Sequence, residues 1–231
     1  MAEDSARLSI IVPMLNEHAS IAATLRALRA GAPCAEIIAV DGGSDDGSQD
    51  AARSLCDVLI QAPRGRAGQL NAGAARARGE LLAFVHADTV VPATFADDIE
   101  AAMRNPAVVG GRFDVALDAP GVAYRLIGLL ISLRSRFSRT GTGDQAIFVR
   151  RSVFQRLGGF PPIEICEDLD FTRRLKRAGT MACLRSRVVT SARRWQRAGL
   201  VRTVGRMWAI RLSYLAGVSP ARLRQWYADL R

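Results

Sequence analysis

One pattern constrains this chain more than any other. Over the first 115 residues, short apolar, β-branched runs alternate with helical patterns, and a polar residue closes each run. Residues 8–12, 36–40, 58–60, 80–85 and 108–115 read as strands. Between them lie residues 17–29, with Ile21, Leu25 and Leu28 at helical spacing, and then 48–55, 65–78 and 92–103. Gly31-Ala32-Pro33 stops the first helix, and Pro92 opens the last. The pattern predicts an α/β fold, a doubly wound and mostly parallel sheet with helices on both faces and right-handed crossovers. In such sheets ligands bind beyond the carboxyl ends of the strands. Residues 13–17, with Pro13 and Glu17, together with Asp41, Arg64 and Asp88, are therefore expected to converge on one site.

The second half changes character. Helices are expected at 122–137, 152–157, 167–177 and 200–216, a strand at 146–149, and a final short helix from Ser219-Pro220. Helix 167–177 begins with Glu167, Asp168 and Asp170 and ends with Arg173, Arg174, Lys176 and Arg177, the order its dipole favours. A length of 231 residues suits an α/β domain over 1–192 and a C-terminal helical extension over 193–231.

Charge follows the same division. Residues 1–120 carry 10 basic and 16 acidic side chains, whereas residues 121–231 carry 22 basic and 6 acidic ones. That places a net −6 in front of a net +16, and the asymmetry points to an anionic partner. Cys34, Cys56, Cys166 and Cys183 form no Cys-x-x-Cys pair, which argues against a zinc ribbon. The opening residues lack a leader pattern, so reduced thiols and a cytoplasmic setting are expected. The longest apolar run, 126–133, falls short of the ~18–20 residues of a membrane span.

The strand ends also carry recognisable runs. These are Ser9-Ile10-Ile11-Val12-Pro13-Met14-Leu15-Asn16-Glu17, Val40-Asp41-Gly42-Gly43-Ser44-Asp45-Asp46-Gly47-Ser48, Phe84-Val85-His86-Ala87-Asp88, Gly143-Asp144-Gln145 and Cys166-Glu167-Asp168. In this order, over roughly residues 7–190, they resemble glycosyltransferase family 2 with its GT-A type fold. Arg64-Gly65-Arg66-Ala67-Gly68-Gln69-Leu70-Asn71 narrows the resemblance to a bacterial subgroup associated with radical-SAM and selenodomain genes.

The resemblance implies an inverting transferase that moves one sugar from a nucleotide-sugar donor, a UDP-sugar by family habit, to a hydroxyl acceptor. It implies donor contacts at Pro13, Glu17, Asp41, Gly43, Arg64, Arg66, Asn71 and Ala87, and sugar or acceptor contacts at Gly143, Asp144, Gln145, Arg194 and Trp195. Asp168, beside Glu167, is implied as the general base, a role worth ~10²–10⁴-fold. A divalent cation, Mg²⁺ or Mn²⁺, is implied at Asp88, where it neutralises the leaving diphosphate. The family's Asp-x-Asp is departed from, because His86 stands in the first position; imidazole suits Mn²⁺ better than Mg²⁺. Ser191 stands where polymer-forming members carry Gln ahead of Arg194-Trp195, which implies single transfer.

Three other readings compete. A nucleotidyltransferase shares strand-end carboxylates, but its Gly/Arg loop follows the first strand, where this chain has residues 13–17. A nucleic-acid-binding module explains the basic rear half and not the acidic rim, and three Tyr and three Trp make a poor stacking platform, so no nucleic-acid partner is expected. Peripheral contact with an anionic membrane at the inner face of the cytoplasmic membrane draws on 121–139 and 193–227, with Trp195, Trp208, Trp226 and many arginines. A lipid or lipid-linked acceptor suits that contact. The plain alternative is two ordinary helices packed on the sheet by their apolar faces.

Overall fold

The β-branched runs become strands in the computed structural model, which describes residues 7–228. The front half contains β1 (Leu8–Met14), α1 (His18–Gly31), β2 (Glu36–Asp41), α2 (Ser48–Arg53), β3 (Val58–Gln61), α3 (Arg66–Arg76), β4 (Leu81–Phe84), β5 (Thr89–Val90), α4 (Phe95–Met103) and β6 (Val108–Leu117). The rear half contains α5 (Val122–Ser138), a 3₁₀ turn (Gly143–Gln145), β7 (Ile147–Arg150), α6 (Arg151–Arg156), α7 (Glu167–Ala178), β8 (Thr180–Thr190), α8 (Arg193–Ala198), α9 (Leu200–Leu215) and α10 (Pro220–Ala228).

These strands form one eight-stranded sheet in the order β3-β2-β1-β4-β7-β6-β8-β5. It is parallel over β3-β2-β1-β4, as the alternation predicts. β7 then runs antiparallel between β4 and β6, and β5 antiparallel to β8, while β6 and β8 pair in parallel. Every residue of β1 is buried, because helices cover both faces. The two-residue period of the strand sorts its side chains. Ile10 and Val12 join a layer with Leu25, Phe95, Phe113 and Phe148, and Ile11 joins the opposite layer with Leu70, Phe84, Phe160 and Phe171. Phe84 and Phe160 meet edge to face at 4.8 Å in that second layer.

Two strands went unread in the sequence. In β8 the arginines Arg185 and Arg187 break the apolar signal, and β5 is two residues long.

Helix α5 inverts the usual amphipathic arrangement. It packs on β6 through Gly128, Ile131, Ser132 and Ser135. A Cβ on Gly128 would stand 2.9 Å from the Val115 carbonyl oxygen, so the close crossing needs glycine. The inner face is polar because Ser132 Oγ accepts the Val115 N–H at 3.1 Å and Ser135 donates to Gln145 at 2.7 Å; it also faces Arg112, the largest fully buried side chain. Arg112 donates to the carbonyl oxygens of Phe113 and Ser132 and pairs with Asp114 at 2.5 Å; Arg136 pairs with the other Asp114 oxygen at 2.6 Å. The large apolar residues of α5 therefore point outward.

The C-terminal helices lie on the same body. Trp195 is buried in the first core layer, and Leu200, Val204 and Met207 pack against that layer. Tyr214 donates to Asp170 at 3.0 Å, which ties α9 to α7.

Candidate active site

The strand-end rule places Glu17 and Asp88 together. Glu17 follows β1 and Asp88 follows β4, and β1 and β4 are neighbours. One Nη of Arg193, the first residue of α8, pairs with Glu17 at 2.8 Å and with Asp88 at 3.5 Å. Burial, and then the like charge of Glu17, raise the Asp88 carboxyl above its ordinary range, with Arg193 and Arg66 opposing.

A second acidic centre sits at the start of α7. Glu167 is 3% exposed and pairs with Arg66 at 3.6 Å, too far for a hydrogen bond. Burial, and then the neighbouring Asp168, push its carboxyl up to about 7. Asp168 accepts from the Gly143 N–H at 2.6 Å and the Leu169 N–H at 2.6 Å, so both carboxylate oxygens are oriented by backbone. Burial outweighs those two donors and raises its pKa. Arg66, on the first turn of α3, is the shared cation, acting on Asp88, Glu167, Asp168 and His86 alike.

His86 sits against the 3₁₀ turn. A Cβ on Gly143 would stand 2.3 Å from its Nε2, so only glycine fits there. That Nε2 is buried without a hydrogen-bond partner, and burial with Arg66 and Arg194 holds the imidazole well below its ordinary pKa. His86 is thus neutral and keeps a lone pair. Asp144 has a buried Oδ1 without a hydrogen-bond partner.

Several of the expected site residues also make hydrogen bonds or packing contacts within the fold. Asp41 is fully buried; its oxygens accept from the Gly43 and Ser44 N–H groups, the Ser44 hydroxyl and Gln49 Nε2. It organises the loop in which Gly43, at φ +91°, turns the chain. Asn71 donates to the Phe160 carbonyl and accepts from its N–H, both at 2.9 Å, and so fastens the loop before α7. Gln145 is fully buried; it accepts from Ser135 and Thr142 and donates to Phe113. The carbonyl of buried Ala87 accepts from Thr24 at 2.9 Å. Trp195 is a core anchor at 7% exposure. The hydrogen bonds of Asn71 and Gln145 and the burial of Trp195 support the walls around the acidic centres. Pro13 is buried within β1, and Arg64 is exposed on the loop before α3.

Strain marks the same rim. Among the described residues, Asn16, Arg139, Ala146 and Cys166 are the non-glycine residues at positive φ. Three of them immediately adjoin Glu17, the Gly143–Gln145 turn and Glu167. Such conformations cost of order 1–3 kcal/mol each and persist where surrounding structure enforces them.

The model of the family described as glycosyl transferase family 2 matches residues 9–158. The chain belongs to that family. Its GT-A fold is shared with solved glycosyltransferases. The mannosyltransferase PcManGT from Pyrobaculum calidifontis, in complex with GDP-Man and Mn²⁺, matches over 97% of this chain and 69% of its own, at 23% identity and TM-score 0.63. S. aureus TarS 1-349, in complex with UDP-GlcNAc, matches over 81% of this chain and 59% of its own, at 19% identity and TM-score 0.63. The glucosyl-3-phosphoglycerate synthase from Mycobacterium tuberculosis, in complex with Mn²⁺, UDP and its product, matches over 78% of this chain and 70% of its own, at 18% identity and TM-score 0.55. At these identities the likeness is one of fold. No curated protein matches the sequence.

Two cations that the sequence did not single out stand near this candidate site. Arg134 of α5 and Arg211 of α9 both act electrostatically on Asp168. Each stands in a run of arginines, so residue type alone gave no signal of its placement.

Proposed function

We propose that the chain is an inverting, metal-dependent glycosyltransferase that moves a single sugar from a nucleotide-sugar donor to a hydroxyl acceptor, with Asp168 as general base. The observation that carries this is the pair of acidic centres joined by Arg66. Glu17 and Asp88 close neighbouring strands, where a diphosphate binds in such sheets, and Arg66 acts electrostatically on both Asp88 and Asp168. The acceptor oxygen forms a bond to the anomeric carbon as the bond from that carbon to the diphosphate breaks. The electron pair leaves with the nucleoside diphosphate, and the acceptor proton passes to Asp168. One base without a separate carboxylate nucleophile implies inversion, by the logic of glycoside chemistry.

Among the described residues, no group of three or more His, Cys, Asp or Glu side chains is arranged to hold a metal. The donor set fits a cation that takes most of its ligands from the substrate. Asp88 supplies one hard, partly desolvated carboxylate oxygen, and a nucleotide diphosphate supplies the rest, as Mg²⁺ and Mn²⁺ sites often require. His86 contributes a buried neutral imidazole, but its Nε2 faces Gly143, so Asp88 is the ligand proposed here. When bound, the cation would offset the charge that develops on the leaving diphosphate. Arg193 already bridges Glu17 and Asp88 and can turn to the same phosphates.

The nucleotide reading is tested by calorimetric titration with UDP and with GDP, each with and without Mn²⁺. Saturable binding of one of them, strengthened by Mn²⁺, is expected; binding of neither refutes the transferase reading.

The acidic pair sets a pH dependence. Glu167, raised to about 7, and Asp168 take up a proton as pH falls, and a protonated base cannot accept the acceptor's proton. Transfer should therefore rise with pH as the pair ionises, above the ordinary carboxylate range, and then level. Glu167→Gln removes the adjacent charge and should move that acidic limb to lower pH. The stability sign is fixed as well. A carboxyl raised in the folded state stabilises fully below its ordinary value of 4.5 and loses that contribution as pH rises through about 7. Glu167→Gln should accordingly gain thermal stability relative to the parent between pH 5 and pH 8, read as a widening difference in Tm.

A further inference from the structure

The outer surface of α5 is more apolar than the face it buries, and α9, whose Leu200, Val204 and Met207 pack on the core, exposes apolar residues on its other side. On α5, Val122, Leu126, Leu129, Leu130, Leu133 and Phe137 are 48–98% exposed. At about 100° per residue these six fall within roughly 100° of one another, a single stripe opposite Gly128, Ser132 and Ser135. On α9, Val201, Trp208, Leu212 and Leu215 are 45–87% exposed and form a second stripe, opposite Thr203 and Ile210. Scattered exposed apolar residues need no explanation, but aligned stripes of this extent do.

Charge indicates the occupant. α5, α9 and α10 contain eight arginines and no carboxylate. A helix surface built only for water mixes both signs. Of these eight, Arg136 pairs with Asp114, Arg224 pairs with Glu164, and Arg134 and Arg211 are partly buried; the exposed Arg125, Arg202 and Arg222, with Trp208 and Trp226 half exposed beside the apolar stripes, match a surface that is apolar below and anionic at the boundary. Among the described residues no helix is long and apolar enough to cross a membrane.

Two arginines connect this surface to the catalytic centre. Arg134 of α5 is partly buried, and its Nε lacks a hydrogen-bond partner. It acts on Asp144 and Asp168. Arg211 of α9 donates to Thr140 at 3.0 Å and is held down to about 10 by burial and then by Arg134. Arg134, with its unpartnered Nε, and Arg211 thus place two guanidiniums beside the proposed base, donors of the kind that take a phosphate.

We propose that α5 and α9 seat the enzyme on an anionic phospholipid bilayer, and that Arg134 and Arg211 take the phosphate of a lipid headgroup whose hydroxyl is the acceptor presented to Asp168. The acceptor half of this inference rests on the transferase reading above; the docking half does not.

Flotation with vesicles tests it, using the full chain at low salt. Binding is expected to phosphatidylcholine vesicles containing phosphatidylglycerol, and much weaker binding to phosphatidylcholine alone or at high salt. Leu130→Asp and Phe137→Asp should each lower partition about tenfold or more, since each removes a side chain's worth of apolar burial. Both sites are exposed, so both variants should keep the parent's Mn²⁺-dependent nucleotide titration. Arg211→Gln should narrow the preference for anionic over neutral vesicles. A parent chain that stays unbound on anionic vesicles overturns the docking. So does a lipid-free dimer that Phe137→Asp converts to a monomer, which makes the occupant a second copy. An unchanged anionic preference in Arg211→Gln overturns the phosphate seat. A chain that floats but binds no nucleoside diphosphate refutes the transferase reading alone.

Discussion

Asp168→Asn should lower sugar transfer by about 10²–10⁴-fold while leaving nucleotide affinity nearly unchanged. The asparagine has the same shape and can still accept the N–H of Gly143 through its one oxygen, but it cannot take a proton. Its amide nitrogen would face the Leu169 N–H, a local mismatch at the start of α7, whereas Glu17 and Asp88 are held by Arg193. Asp168→Glu separates the roles of charge and position. It restores a proton acceptor but lengthens the side chain, so partial activity above that of the asparagine variant is expected. The readout is initial rate of transfer together with UDP and GDP titration on the same preparations. If Asp168→Asn transfers at the parent rate, the proton goes elsewhere, and Asp144, with a buried oxygen that has no hydrogen-bond partner, becomes the next candidate.

The front half of the fold was legible because its signals are local. A β-branched run followed by a helix and a polar closing residue states both the strand and the end at which ligands gather, and Glu17 and Asp88 met as that rule requires. The carboxylates at the start of α7 were legible for the same reason, since an acidic first turn is a local pattern. What stayed hidden depends on partners far apart in the chain. Nothing about Asn71 or Gln145 as residue types reveals that Phe160, Ser135 and Phe113 consume their hydrogen bonds. The apolar residues of α5 announced a helix but not which face it buries. That was decided by distant partners: Gly128 allows the close crossing on Val115, Ser132 Oγ accepts the Val115 N–H, and Ser135 donates to Gln145. β8 was missed because its arginines break a two-residue apolar period that its pairing with β6 enforces all the same.

Asp88→Asn should abolish the Mn²⁺-dependent gain in nucleotide affinity, a loss of at least about 100-fold measured as the ratio of Kd without and with the metal. Outer partners of metal ligands already cost 10–100-fold when removed, and a ligand costs no less. The neutral amide offers a weaker oxygen to a hard dication than the carboxylate does. The affinity without metal should hold, because Glu17 keeps its 2.8 Å pair with Arg193 and the longer contact to Asp88 is the one lost. Unfolding cannot account for such a result. Asp88 is raised by burial and by Glu17, so its ionisation opposes folding once the pH exceeds its raised value. Removing the charge should leave the variant at least as stable as the parent at neutral pH, which a thermal melt checks directly. Unchanged Mn²⁺ dependence in Asp88→Asn would move the cation away from Asp88 and leave Glu17 as the remaining carboxylate on that rim. Glu17→Gln then discriminates. With Asp88 as the ligand, it should keep the Mn²⁺ response while freeing Arg193 from its shorter contact, because the two carboxylates compete for one guanidinium and only one of them is needed by the metal.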